Sequence, residues 1–314
     1  MNQNITRLVA AASLCCALGI VVAHRPAAAS GSPAQPATPV ASPTSHHLPP
    51  TPTPTPPPTP TQPPTSTAPS YPCNNINAYV TRPTVSTSVC PVPPHHVVLE
   101  TGYTNTTTTG VGANSTTNVP QAFIHAGIGP RIEFDLTPPS AESANNGLAK
   151  ISGTSDLGFG LKTILGYTPK AEYGVGASMT LPTGSAAYTN GASTYAFVAN
   201  GTYALASNVS LFGTAAYDWL VGTDSNGNLA RFGSFVPSLG ISYSLPSSFY
   251  VFGEAANFGK VAPTDGARSL LDYGIQKVIG QHMQLDAEAG NALNAVNGSR
   301  FHYVGAGASF LFGK

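Results

Sequence analysis

The sequence predicts an all-β protein: an antiparallel transmembrane β-barrel of about 12 strands, preceded by a disordered Pro-rich segment. Three observations predict it. Only 8% of the 314 residues are charged, against roughly 25% in an ordinary soluble domain. From Val97 onward apolar and polar residues alternate with period two, in stretches separated by turn residues. The joints between these stretches sort by length: every second joint is short, such as Gly129 or Ala206-Ser207, and those between are longer and polar, such as VGTDSNGNLAR. Bacterial outer-membrane barrels have short periplasmic turns and long outer loops, whereas a soluble β-sandwich has no reason to sort its loops by parity.

Composition excludes other classes. Thirteen Lys and Arg balance thirteen Asp and Glu, so the basic surplus of a nucleic-acid-binding protein is missing and no nucleic-acid partner is expected. Beyond the N-terminus no apolar run is long enough for a spanning helix.

The elements follow in order. Residues 1–7 are polar with Arg7, an apolar run extends from Leu8 to Ala23, and Ala27-Ala28-Ala29 precedes Ser30. This is the layout of a secretory signal peptide, residues 1–29, cut after Ala29. The apolar run is slightly long for that role, so an uncleaved anchor is the alternative. Cys15 and Cys16 lack the small residue that lipid attachment needs in front of them. Cleavage removes Arg7 and Arg25 and leaves 11 basic and 13 acidic residues.

Residues 30–72 contain PTPTPTPPPTPTQPP and similar repeats. They hold too little apolar side chain to offset ordering entropy, and favour polyproline II. At about 3.1 Å per residue the segment spans roughly 130 Å when extended. It reads as a periplasmic linker, or as an arm that meets a cell-wall or periplasmic partner. Cys73 and Cys90 are the only cysteines left after processing. An even pair in an exported chain implies a disulfide, contributing about 3 kcal/mol in the chain-entropy account. Residues 73–96 are thus expected as a short Cys-bridged segment. His95-His96 follow, but the cysteine spacing and the oxidising compartment favour the disulfide over zinc, and no metal or cofactor is expected.

The barrel is expected over 97–314, with strands near 97–107, 121–128, 130–137, 155–165, 171–181, 194–205, 208–219, 234–245, 249–258, 269–278, 283–291 and 300–312. Most reach the length needed to cross a bilayer. Ala171–Leu181 shows the pattern best. Tyr173, Val175, Ala177, Met179 and Leu181 share one face, and Glu172, Gly174, Gly176, Ser178 and Thr180 the other. Tyr103, Tyr173, Tyr195, Tyr203, Tyr217, Trp219, Tyr243 and Phe249 all lie on the apolar face, as an interfacial girdle would. Pro237 falls inside a strand, where its missing N–H predicts a bulge.

Several segments are similar to one known family. HAGIGPRIEFDL (125–136), GTSDLGFGLKTIL (153–165) with Asp156 and Lys162, ASMTLPTGSA (177–186) and LLDYGIQKVIGQHMQLDAEAGNALN (270–294) occur in an order that resembles the outer-membrane barrels of the phenol-degradation MetA-pathway family. The resemblance spans about 97–312. It implies a channel-like barrel and transport of hydrophobic or aromatic compounds, and it supplies no catalytic residues. One departure is the ending Gly313-Lys314 after Phe312, where such barrels end on an aromatic.

If the apolar face meets lipid, charge must face the lumen, because a charge at mid-membrane on the lipid side costs a few kcal/mol. That assigns Glu100, Glu133, Asp135, Asp156, Glu172, Asp218, Glu254, Asp272, Asp286 and Glu288 to the lumen lining, with Arg131 and Lys162. Rings of carboxylates select cations; alternatively these acids pair with Arg131, Lys162 and hydroxyls to rigidify the lumen. Phe123, His125, Tyr250 and Phe252 share the inward face and narrow the pore.

Three functions compete. The first is an outer-membrane channel, embedded in lipid, passing small solutes through a narrow acidic lumen. The second is a structural or adhesion barrel anchoring the Pro-rich arm. The third is an outer-membrane lipid hydrolase, which needs Ser and His paired on the lipid face. His302 faces that way, yet no Ser–His motif accompanies it, so enzymatic activity is not expected. Export and barrel together place the protein in the bacterial outer membrane with its arm in the periplasm.

Overall fold

A computed structural model describes residues 72–313. The signal peptide expected at 1–29, and the linker expected at 30–72 up to its last residue, lie outside the described residues. The strands are β1 Val97–Gly110, β2 Asn114–Gly129, β3 Ile132–Thr137, β4 Ala141–Asn145, β5 Lys150–Thr154, β6 Leu157–Tyr167 and β7 Ala171–Leu181. They continue with β8 Thr194–Ala206, β9 Val209–Thr223, β10 Leu229–Leu245, β11 Phe249–Asn257, β12 Ser269–Ile279, β13 Met283–Ala292 and β14 Ser299–Phe312.

Each strand pairs antiparallel with its neighbours, and β1 pairs with both β14 and β2, so the sheet closes on itself. Residues 138–140 interrupt one crossing between β3 and β4, and Ser155-Asp156 interrupt the next between β5 and β6. Fourteen segments therefore make a closed barrel of 12 strands. The tight connections 168–170, 207–208 and 280–282 contrast with longer ones such as 182–193 and 258–268.

Three expectations are corrected. The expected strands 97–107 and 121–128 leave the polar stretch 108–120 as a loop; in the structure β1 runs on to Gly110, the chain turns in three residues, and β2 begins at Asn114. Thr, Ser and Asn form strand there because their side chains bond across the pair: Asn105 Nδ2 donates to Ser115 Oγ and Thr117 Oγ1, and Thr104 Oγ1 donates to Gln121 Oε1. The polar stretch SAESANNGLAK likewise forms most of the β4–β5 hairpin. Pro237 makes no bulge. It pairs in register with Ala215, and the β10–β11 pairing ends at its neighbour Ser238, so the missing N–H sits where the second ladder has ended.

One part of the wall is not laddered. Pairing of β2 with β4 ends at Val119–Ala141 and with β3 at Ile124–Leu136. Residues 120–123 thus have no registered pairing with 137–140, although 121–123 still pair with β1 on their other side. Pro120, Pro138 and Pro139 carry no N–H to supply one.

The outer surface carries exposed Tyr103, Tyr173, Tyr195, Phe197, Tyr217, Trp219, Phe235, Leu239, Ile241 and Tyr273. A continuous apolar belt of this kind is solvated by lipid, not water, and marks an outer-membrane barrel.

The packed core lies inside the barrel. Residues 72–96 enter the lumen at the end with the short turns. A single helical turn, α1 (Ile76–Tyr79), starts at Asn75, whose side chain accepts from Ala78 N. Cys73 and Cys90 form the disulfide, with S–S 2.03 Å. Around it Ile76, Tyr79, Val80, Val89 and Val92 pack on Val98 and Ile164 of the wall. A wall of alternating small and polar inward residues has no apolar core of its own; this inserted segment provides one.

Candidate functional site

The lumen site is built from inward carboxylates and the backbone of the inserted segment, here called the plug. Three acids accept from plug N–H groups. Glu100 on β1 takes Thr81 N at 2.7 Å and Arg82 N at 2.8 Å. Glu254 on β11 takes Val85 N at 2.8 Å and Ser86 N at 2.9 Å, and also the Ser86 hydroxyl. Glu133 on β3 takes Val92 N at 2.5 Å. Each acid sits at an inward position of its strand, and all three are buried. A loop without regular structure has free N–H groups, and a buried one must find acceptors; these carboxylates are those acceptors, in charge-assisted bonds.

Arg82 is the central cation. Its guanidinium donates to Gln121 Oε1 at 2.6 Å, Asp286 Oδ1 at 3.2 Å and Glu288 Oε1 at 3.4 Å, and its carbonyl accepts from Gln276 and Gln284. Gly102 and Gly307 face each other across β1 and β14. A Cβ on either would stand 2.6 Å or less from Arg82 side-chain atoms, so the two glycines form the notch that admits it. Gly127 does the same for the plug's exit, where a Cβ would meet the Pro93 carbonyl oxygen at 2.0 Å.

A second cluster supports the first. His125 Nε2 lies 3.0 Å from Glu100, and its Nδ1 lies 3.1 Å from Glu133 and 2.6 Å from Asp135. Lys162 Nζ reaches Glu133 at 2.8 Å and donates to Ser88 Oγ of the plug at 2.7 Å. His125, Glu133 and Asp135 bring their donor atoms close enough to hold an ion, but the Lys162 ammonium already stands against Glu133.

The other assigned residues fall in different places. Asp272 is buried next to Glu254 in the β11–β12 register. Glu172 lies at the disulfide, 3.4 Å from the Cys90 sulfur. Asp218 lines a cavity on the far side of the plug. Asp156 accepts from Gly184 N and Asn190 N, tying down the loop 182–193. Arg131 is exposed in the turn between β2 and β3, where its carbonyl accepts from Ile164. His302 is exposed on the outer face.

Sequence reasoning missed Arg82, Gln121, Asn200, Thr214, Gln276 and Gln284. Asn200 donates to Thr87 and Ser88, and Thr87 N donates to Thr214. Strand parity put the wall residues inward, but uncharged side chains drew no attention. For Arg82 the signal was its solitude, as the sole charge between the signal region and Glu100.

Beyond the plug the lumen holds two chambers of about 120 and 130 Å³. Gln121 and Phe123 line both. The first chamber also touches Ala122, Thr137, Pro138 and Ser140, the unladdered part of the wall.

The family described as "Putative MetA-pathway of phenol degradation" matches residues 82–313. The chain belongs to this family. Among solved structures, the COG4313 outer membrane channel from Pseudomonas putida F1 superposes with a TM-score of 0.57 at 16% identity, over 71% of this chain and 98% of that one. The NanC porin gives 0.47 at 11% identity over 67% and 98%, and the Ralstonia pickettii toluene transporter TbuX gives 0.41 at 9% over 71% and 90%. The first likeness shows a shared barrel fold. No curated protein matches the sequence.

Proposed function

We propose that this family member is a gated outer-membrane channel for small solutes, hydrophobic or aromatic ones among them, with residues 73–96 as the gate and the Pro-rich arm in the periplasm. One observation carries the reading. The segment that fills the lumen is tied to the wall by hydrogen bonds and ion pairs to Glu100, Glu133, Glu254, Asp286 and Glu288, beside a small apolar cluster on Val98 and Ile164, and water can replace those polar contacts when the segment leaves. The chambers beyond the plug are the solute's entry. Glu100, Glu133, Asp135, Glu172, Asp218, Glu254, Asp272, Asp286 and Glu288 line the route and favour cations once the plug withdraws; Asp156 lines the entry chamber while holding the loop 182–193, Lys162 moderates the acids, and Arg131 acts outside the route.

The test is conductance of the refolded full chain in planar bilayers, with reversal potentials in a salt gradient. Brief, cation-preferring openings are expected. A folded barrel that never conducts overturns the channel, and anion preference overturns the acidic route.

A further inference from the structure

The chamber of about 130 Å³ has unlike walls. One side is hydroxyl-bearing, with Thr104, Thr106 and Thr108 of β1. The other is aromatic: Phe258 and Phe301 stand 6.2 Å apart between ring centres, and Phe301 and Tyr303 6.5 Å apart. The volume is close to that of an apolar protein cavity of roughly 150 Å³ known to accept benzene. Size and wall together suit one aromatic ring, edge or face against the Phe and Tyr rings.

The charge in this chamber points to the rest of the molecule. Arg268 lines it and is only 7% exposed. Its Nε has no hydrogen-bond partner among the described residues. Its one ion contact among the described residues is a long one, Nη2 to Asp265 Oδ2 at 3.7 Å, and Asp265 is also engaged by Asn297 Nδ2 at 2.7 Å. The other charges on the wall, Arg82 and Glu288, face each other at 3.4 Å. A buried guanidinium with a spare N–H is costly without an acceptor, and its fork fits a carboxylate.

We propose that this chamber binds a single-ring aromatic carboxylate, the ring against Phe258, Phe301 and Tyr303 and the carboxylate on Arg268. The inference rests on the channel reading, and names the class of solute that the route would hold.

The test is titration calorimetry on the refolded full chain with three probes. Benzoate carries ring and charge, toluene the ring alone, acetate the charge alone. Benzoate is expected to bind at least about tenfold more tightly than either, since a charge-assisted hydrogen bond and ring burial each contribute about that much. R268Q should weaken benzoate about tenfold or more and leave toluene within about twofold. Benzoate no tighter than toluene or acetate overturns the proposal, as does R268Q binding benzoate like the wild type. Should R268Q fail to refold, the three-probe comparison on the wild type decides alone. Conductance of the same preparation separates the two readings. Ions passing without benzoate binding overturn this inference only; benzoate bound by a barrel that never conducts overturns the channel and leaves the site.

Discussion

Replacing Arg82 by Gln should unlatch the plug. Arg82 is 6% exposed and meets Asp286 and Glu288 at 3.2 and 3.4 Å. Gln cannot supply the charge, so two wall carboxylates would face each other with no cation between them. Breaking a buried ion pair by removing one partner costs about 3–5 kcal/mol, and about 1.4 kcal/mol is a factor of ten. The docking equilibrium should therefore move toward the undocked state by roughly 100- to 4,000-fold. The bonds to Glu100, Glu254 and Glu133 remain, so the plug should dock and release more often, not leave for good. Single-channel recording reads this as a large rise in open probability, with the barrel's folding checked by its heat-modifiable gel mobility. Arg82→Lys keeps the charge without the forked donors and should fall between. An open probability for folded R82Q within about twofold of the wild type would refute the claim that this ion cluster latches the plug.

Three further outcomes follow from the same geometry. Reducing the Cys73–Cys90 disulfide, or the C73S/C90S double variant, removes a constraint worth about 3 kcal/mol and should lengthen openings; unchanged dwell times would show that the bridge does not hold the plug. Gly307→Val fills the notch facing Gly102, where even a Cβ would stand 2.5 Å from Arg82 Nε. It should raise open probability as R82Q does, and a still-closed channel would count against the notch. Asp218→Asn removes a carboxylate that lines the chamber of about 120 Å³ and is not among the plug's hydrogen-bond acceptors, so the cation preference in the reversal potential should fall with gating untouched; an unaltered potential removes Asp218 from the selectivity route.

The wall was legible in the sequence because a strand's two faces meet two solvents. Tyr173 and Val175 alternate with Glu172 and Gly174 whichever neighbours pair with them, so inward and outward could be assigned before any pairing was known. The same parity failed where both faces are wet. The Thr-rich upper parts of β1 and β2 show no apolar face and so read as loop. Arg131 was assigned inward by counting through a strand that, in the folded chain, has already turned.

What the sequence determined by itself was the barrel, its number of crossings, the disulfide partners, and which strand positions carry charge. These follow from local composition, two-residue periodicity and the cysteine count. Only the tertiary structure decided that residues 73–96 fill the lumen. A segment without regular structure carries no periodicity, and its partners lie up to 206 positions away, as Arg82 and Glu288 do. Closure of the barrel brings β1, β3, β11 and β13 around that segment. The acids then become acceptors for its backbone, a role no single strand's pattern could express.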